Sequence, residues 1–431
     1  MKPVTLFRYS IYLLFLFLIL TPVLYILIIP FQSACDTILI EKHRLIILAE
    51  KSLILAFGAA FLSLFIGIPI AFTAYRMNKY KFYFIILASI TVFIPPYIHA
   101  IVWNQLSPYI ISWFSVHSLF GNMLVLSLIY YPYIFILTLS GLQTMDRSYI
   151  ESALLYQKKM TVVRKIIFPL IVPHIFSGAI FVFILSIVDF SVSDILGVNV
   201  YAMEIFIKFS AFYDEKSAMQ LSMPFIGLTI MLLFLQQWHM KNRSYIHQFA
   251  DISVQSKDNT LNPYKKYFLI VFCLIIFSLS VVLPVCVLLY GAGKFSNYIN
   301  ALTLSWDQVT YTFVLSFLGT TLVMLMGFSI AYMIERSDHK LKYCILLISI
   351  IPFAVPGTTI GVCMIMLWNR PVIDAVYSSS LILLFAYLLK FIPIAVVIFI
   401  SALKNINRQI EEAASLLTSN VLIIIFRIVL P

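Results

Sequence analysis

The sequence predicts an all-α polytopic membrane protein arranged as a tandem duplication. Hydrophobic residues make up 62% of the 431 and charged residues only 11%, with a mean hydropathy of +1.01; soluble globular chains do not reach these values. Stretches of roughly 20 apolar residues, the length that crosses a hydrocarbon core of about 30 Å, recur along the chain. A set of landmarks also repeats in the same order at an almost constant separation.

The first apolar run, 9–29, follows Lys2 and Arg8 and lacks a small-x-small cleavage site, so it reads as an uncleaved span and not a signal peptide. Five more spans are expected at 53–74, 82–103, 120–142, 166–188 and 217–238. The longest polar stretch, His239 to Lys266, then separates these from spans at 267–290, 309–334, 342–368 and 380–402. The expected organisation is a first unit over 1–240, a cytoplasmic linker over 241–266 and a second unit over 267–431. Pro22 and Pro284 lie 262 residues apart, Gly67 and Gly327 lie 260 apart, and Pro132/Pro393 and Glu151/Glu412 each lie 261 apart. An even number of spans per unit makes this a parallel repeat, not an inverted one. After Pro169 the first unit runs on through two further spans, whereas the sequence stops at Pro431. Ten spans of an expected twelve are therefore present.

The net charge of +11 belongs to loops and not to a nucleic-acid footprint. With the N-terminus inside, 21 of the 29 Lys and Arg residues fall on the inner side and 7 on the outer, which predicts a cytoplasmic N-terminus. The five cysteines show no C-x-x-C or metal spacing. The sequence YGAGKFS at Tyr290–Ser296 has a Gly-Lys pair but lacks the earlier glycine and the strand of a P-loop. ATP chemistry would need another subunit.

Two loops placed on the inner side carry the sharpest signal. IESALLYQKKMTVVRKIIFPLIVP starts at Ile150 and IEEAASLLTSNVLIIIFRIVLP at Ile410. Each opens with a glutamate and two small residues, continues amphipathically, and reaches a proline about twenty residues on. They resemble the EAA loop of binding-protein-dependent ABC importer permeases: Glu-Ala-Ala, a glycine at the seventh place, then Ile-x-Leu-Pro. In loop 405–431 the match is Glu412, Ala413, Ala414, Ile428, Leu430 and Pro431, with Thr418 at the glycine place; in loop 146–169 it is Glu151, Ser152, Ala153 and Pro169, with Gln157 there. Small residues after the glutamate would let a helix approach its partner closely, and a glycine at the bend would permit positive φ. Gln157 and Thr418 lack that freedom, so a wider or helical bend is expected.

The stretches SLFIGIPIAFTAYRM, VFIPPYIHAIVW and FILSIVDFSVSDILG look like the corresponding spans of the ferric-iron type of permease, in which two six-span units are fused. Similar fused permeases serve thiamine and some phosphonates or polyamines. The resemblance implies a type I ABC importer permease fold in a bacterial inner (plasma) membrane, with no catalysis and no cofactor on this chain. It also implies an ABC ATPase subunit, in two copies, gripping the loops, and a periplasmic or lipid-anchored substrate-binding protein delivering ferric iron.

Three charges, one inside a span and two at the outer end of another, are candidates for the substrate path. Lys390, in AYLLKFIPIA, either serves function or donates to carbonyls freed by Pro393. Asp189 and Asp194, in IVDFSVSDILG, either face the path or are interfacial helix ends. His99 and His174 have no partner at metal-ligand spacing, so no metal site is expected. Two rival readings remain. A secondary transporter of the major facilitator class would carry G-x-x-x-D-R between spans two and three, where this chain has YRMNKYKF; a truncated, inactive permease would lack the last two spans.

Overall fold

The structure, a computed structural model, describes residues 16–29, 42–109, 115–143, 145, 152–153, 155–241, 263–336, 341–404, 406–418 and 421–429. Every regular element among them is helical. In chain order the principal helices are α1 (Thr21–Ile28), α2 (Lys42–Arg76), α3 (Lys81–Phe93), α4 (Pro96–Leu106), α5 (Leu119–Gln143), α6 (Phe168–Val188), α7 (Ser191–Ile195), α8 (Tyr201–Ser210) and α9 (Glu215–Lys241). They continue as α10 (Pro263–Phe277), α11 (Leu283–Ala292), α12 (Phe295–Leu304), α13 (Trp306–Arg336), α14 (Leu341–Ile350), α15 (Gly357–Trp368), α16 (Leu381–Lys404) and α17 (Arg408–Leu417). Seven helical stretches among the described residues are long and apolar enough to cross a membrane, or up to nine if each of two bent pairs is one span; Phe17–Ile28 is a shorter apolar helix.

The two bent pairs correct the expected spans 82–103 and 342–368. Asn78–Phe93 meets Pro96–Tyr109 at 85°, and Cys344–Phe353 meets Gly357–Trp368 at 107°. The cause is local. A residue before proline is pushed out of the helical region, and Ile94 (φ −79, ψ 116) precedes Pro95 (φ −57, ψ 142) just as Val355 (φ −87, ψ 129) precedes Pro356 (φ −53, ψ 142).

A second device deals with other prolines. Proline has no N–H, and its ring collides with the carbonyl four residues back. The π turns Leu16–Leu20, Val163–Ile167 and Ser278–Val282 each end two residues before a proline, Pro22, Pro169 and Pro284. A fourth, Ile425–Val429, stands two residues before Pro431, which itself lies outside the described residues. Widening the turn moves the carbonyl away from the ring.

The chain divides into two compact units, one of residues 41–204 and 228–298, the other of 1–40, 205–227 and 299–431. In the first, α2 lies against α5, and a Cβ built on Gly67 would stand 2.9 Å from the Ile134 side chain and 3.0 Å from the Phe135 amide nitrogen. Helices α10 and α11 join this unit. Phe277 meets Phe84 with ring centroids 6.0 Å apart, while the Ser280 hydroxyl lies 3.4 Å from those of Thr91 and Tyr131.

In the second unit α13 lies against α16 in the same manner, with a Cβ on Gly327 only 2.5 Å from that of Ala395. Here α1 joins: Leu18, Ile19, Val23 and Ile26 share one buried cluster with Trp368, Leu388 and Leu389. Phe17 meets the Trp368 ring edge-on, and the Tyr25 hydroxyl donates to the Met366 carbonyl at 3.5 Å. Each unit thus contains the helix that opens the other sequence half.

A side chain at Gly67 has to displace backbone, whereas a Cβ on Gly361 meets nothing within 4 Å. Gly67→Val is expected to destabilise the protein by about 1–3 kcal/mol through overpacking, while Gly361→Ala leaves stability unchanged. Thermal unfolding in detergent measures both. Equal midpoints for the two variants would contradict this packing.

Candidate functional site

The second loop is the better described of the two. Asn407 caps α17, its side chain accepting from the Gln409 amide at 3.0 Å, which satisfies one of the orphan donors of the first turn. Residues three apart share a helix face, and Glu411 and Ala414 both turn inward. Ala414 belongs to a buried cluster with Ala331, Leu403, Ile424 and Val429. Glu411, with a side chain 8% exposed, receives the Arg336 guanidinium. Arg336 Nε donates to both carboxylate oxygens at 3.0 and 3.1 Å and Nη2 donates to Oε1; the Tyr332 hydroxyl donates to Oε2 at 3.3 Å. Arg336 Nη2 also reaches the Leu403 carbonyl at 3.4 Å.

The opposite face of α17 is open. Glu412 and Ala413 are exposed, and Leu416 and Leu417 are 88% and 91% exposed. The small pair after Glu412 therefore has divided roles: Ala414 permits a close approach to the chain's own α13 and α16, and only Ala413 faces outward. Thr418 ends the helix in an extended conformation (φ −147, ψ 134) and half-buried. The bend needs no positive φ there, so threonine serves where the family pattern has glycine.

Glu151 in the first loop lies outside the described residues. Ser152 is exposed and Ala153 half-buried, and the Gln157 amide donates to the Ala153 carbonyl at 2.9 Å, closing a helical turn at the bend. Leu155 and Tyr156 are 80% and 86% exposed. They stand 261 residues before Leu416 and Leu417, so both loops present an apolar pair at the same place. Pro169 occupies the first turn of α6.

Of the three path candidates, Asp189 sits in the break between α6 and α7. Its carboxylate accepts from Tyr130 Oη at 2.9 Å, Ser191 Oγ at 3.1 Å and the Val192 amide at 3.1 Å, the last being the cap of α7. Asp194 is exposed. Lys390 Nζ donates to the Val355 carbonyl at 3.1 Å. That acceptor is released by the break before Pro356, not by Pro393 as the sequence suggests. Loop 405–431 and Lys390 belong to one compact unit, and loop 146–169, Asp189 and Asp194 to the other.

Sequence reasoning passed over Glu411 and Arg336. The signal available was the doubled glutamate of IEEAAS and an arginine ending an apolar helix. Asp189→Ala is expected to strand the Tyr130 hydroxyl and the Val192 amide, at a cost of about 1–3 kcal/mol for each buried donor. Asp189→Asn keeps one acceptor oxygen and loses less, and Asp194→Ala changes little. Denaturation midpoints of the three variants give the order; equal effects at 189 and 194 would refute the capping role.

Residues 63–239, from the middle of α2 through most of α9, match the family described as binding-protein-dependent transport system inner membrane component. Over 374 residues the chain is 22% identical to the Fe(3+)-transport system permease protein FbpB 2 of Haemophilus influenzae, covering 84% of this chain and 71% of that protein. The ferric transport system permease protein FbpB of Actinobacillus pleuropneumoniae is 26% identical over 294 residues, covering 62% of this chain and 41% of that one. The chain therefore spans only part of the length of the curated relatives it matches. Among solved structures, a chain of the inward-facing MetNI methionine ABC transporter is similar to 46% of this chain and over 95% of its own length, at 17% identity and a TM-score of 0.40. The segment 63–239 is thus similar to inner membrane components of binding-protein-dependent transport systems.

Proposed function

We propose that the chain is the permease subunit of an ATP-driven importer whose loops 146–169 and 405–431 dock a separate ATPase, and that its cargo is ferric iron. The observation that carries this reading is the matched exposure of Leu155–Tyr156 and Leu416–Leu417, at one offset, each at the end of a short helical segment. Water is a poor solvent for such pairs. Burying an exposed leucine in a partner groove contributes about 1.5–3 kcal/mol, and two equivalent pairs suit two copies of one ATPase.

A duplicated design agrees with this. The π turns before Pro22 and Pro284 stand 262 residues apart, as do those of the two loops. The breaks at Ile94–Pro95 and Val355–Pro356 repeat at 261 with closely similar dihedrals. The two halves then supply the two walls of one translocation path. Closure of the ATPase dimer draws the loops together and switches the path from inward to outward facing. A periplasmic or lipid-anchored binding protein delivers the cargo, and linkage requires that its binding also bias ATPase closure. The excess of Lys and Arg in the loops supports a cytoplasmic N-terminus and cytoplasmic docking loops. Support for iron comes from the names of the two relatives.

The test is co-purification of the tagged chain with co-expressed ABC ATPase subunits of its source genome. Aspartate at an exposed position changes folding stability little, by about 0.5 kcal/mol or less. The double variant Leu155→Asp, Leu416→Asp is expected to lower capture by about tenfold or more. Undiminished capture, or none by the unaltered chain, refutes the docking reading.

A further inference from the structure

We propose that the Arg336–Glu411 ion pair is the strut that carries movement of α17 into α13 and α16, making Arg336 and Glu411 positioning residues of the coupling step. This rests on reading α17 as a docking helix. Its outward face exposes Leu416 and Leu417, but Glu411 lies on the inward face, buried, and is used within the chain. A single guanidinium joins three elements: it ends α13, clasps α17 through both carboxylate oxygens and reaches the last turn of α16 at the Leu403 carbonyl. A planar fork engaged at two points resists rotation as well as separation, which one apolar contact cannot do. One turn along, Ala414 packs against Ala331 and Leu403, so there is no slack between the same three elements.

Arg76 ends α2 260 residues before Arg336, matching Gly67 and Gly327, and at that same offset Glu411 corresponds to Glu151, which lies outside the described residues. Among the described residues the strut is present at the second loop.

The experiment uses the full chain captured with its ATPase, and follows amide hydrogen exchange in the last turns of α13 and α16 with and without ATP plus vanadate. Glu411→Gln, which keeps the side-chain shape, is expected to retain capture while the nucleotide-dependent change in exchange falls by about fivefold or more. The reciprocal pair Arg336→Glu with Glu411→Arg is expected to restore it. A nucleotide-dependent change that survives Glu411→Gln overturns the strut and leaves docking intact. Parallel loss of capture and of the exchange change also overturns it, since Glu411 would then only hold the loop in shape. Lack of capture by the unaltered chain removes the docking reading, and the strut with it, before any variant is made.

Discussion

Inside a lipid hydrocarbon core every backbone N–H and C=O has to be satisfied within the protein, and this chain places prolines in or beside most of its spans. Each proline deletes a donor and crowds a carbonyl, so the architecture is largely a record of how those groups are recovered. A π turn widens the ladder ahead of the ring before Pro22, Pro169 and Pro284, whereas Pro69, Pro132, Pro173, Pro224 and Pro393 stand inside continuous helices. Where the chain turns, at Pro95 and Pro356, the residue ahead is extended and the helix restarts on a new axis. The half-buried charges follow from the same rule. Asp189 presents a carboxylate to the amide end of α7, and Lys390 presents an ammonium to the Val355 carbonyl. Acid meets donor and base meets acceptor.

The loops face water, and the constraint on them differs. A ten-residue helix is marginal alone, so α17 has to be held by tertiary contacts while keeping one face free. Asn407 fixes its start, Glu411 and Ala414 fix its inner face, and the extended Thr418 ends it. Nothing in that arrangement uses Leu416 or Leu417, whose exposure is consequently available to a partner. The anchored face and the exposed face are separated on one short helix by the spacing of residues three apart.

Much of this was legible in sequence because it depends on composition and spacing. The apolar runs, the landmarks Gly67 and Gly327, and the position of each loop follow from residue type alone. Glycine at a helix crossing and proline in a span are rare enough to register. The two bends were not legible from hydropathy, since an apolar stretch broken at Pro95 or Pro356 scores the same as a straight one. The same limit hid the acceptor of Lys390, because which carbonyl a break releases is a property of three-dimensional placement. Glu411 was obscured by its neighbour Glu412. Two adjacent glutamates point about 100° apart on a helix, and only the packing of α13 decides which turns inward.

Under the proposed duplication, the places where the halves agree and differ follow one division. Features imposed by close packing or by the backbone in lipid coincide: the glycine contacts at Ile134 and Ala395, the breaks before Pro95 and Pro356, the π turns. Charges behave less uniformly: Arg76 and Arg336 coincide at 260 and Glu151 and Glu412 at 261, whereas Lys390 stands opposite Ile129. A buried charge is costly unless its partner is present, so it can be kept in one half and lost from the other only together with its partnership, whereas a glycine at a helix crossing or a proline at a break cannot be exchanged without moving backbone. The shared frame is therefore the conservative part of each half, and the difference between them is carried by single charges such as Lys390 and the carbonyl it meets.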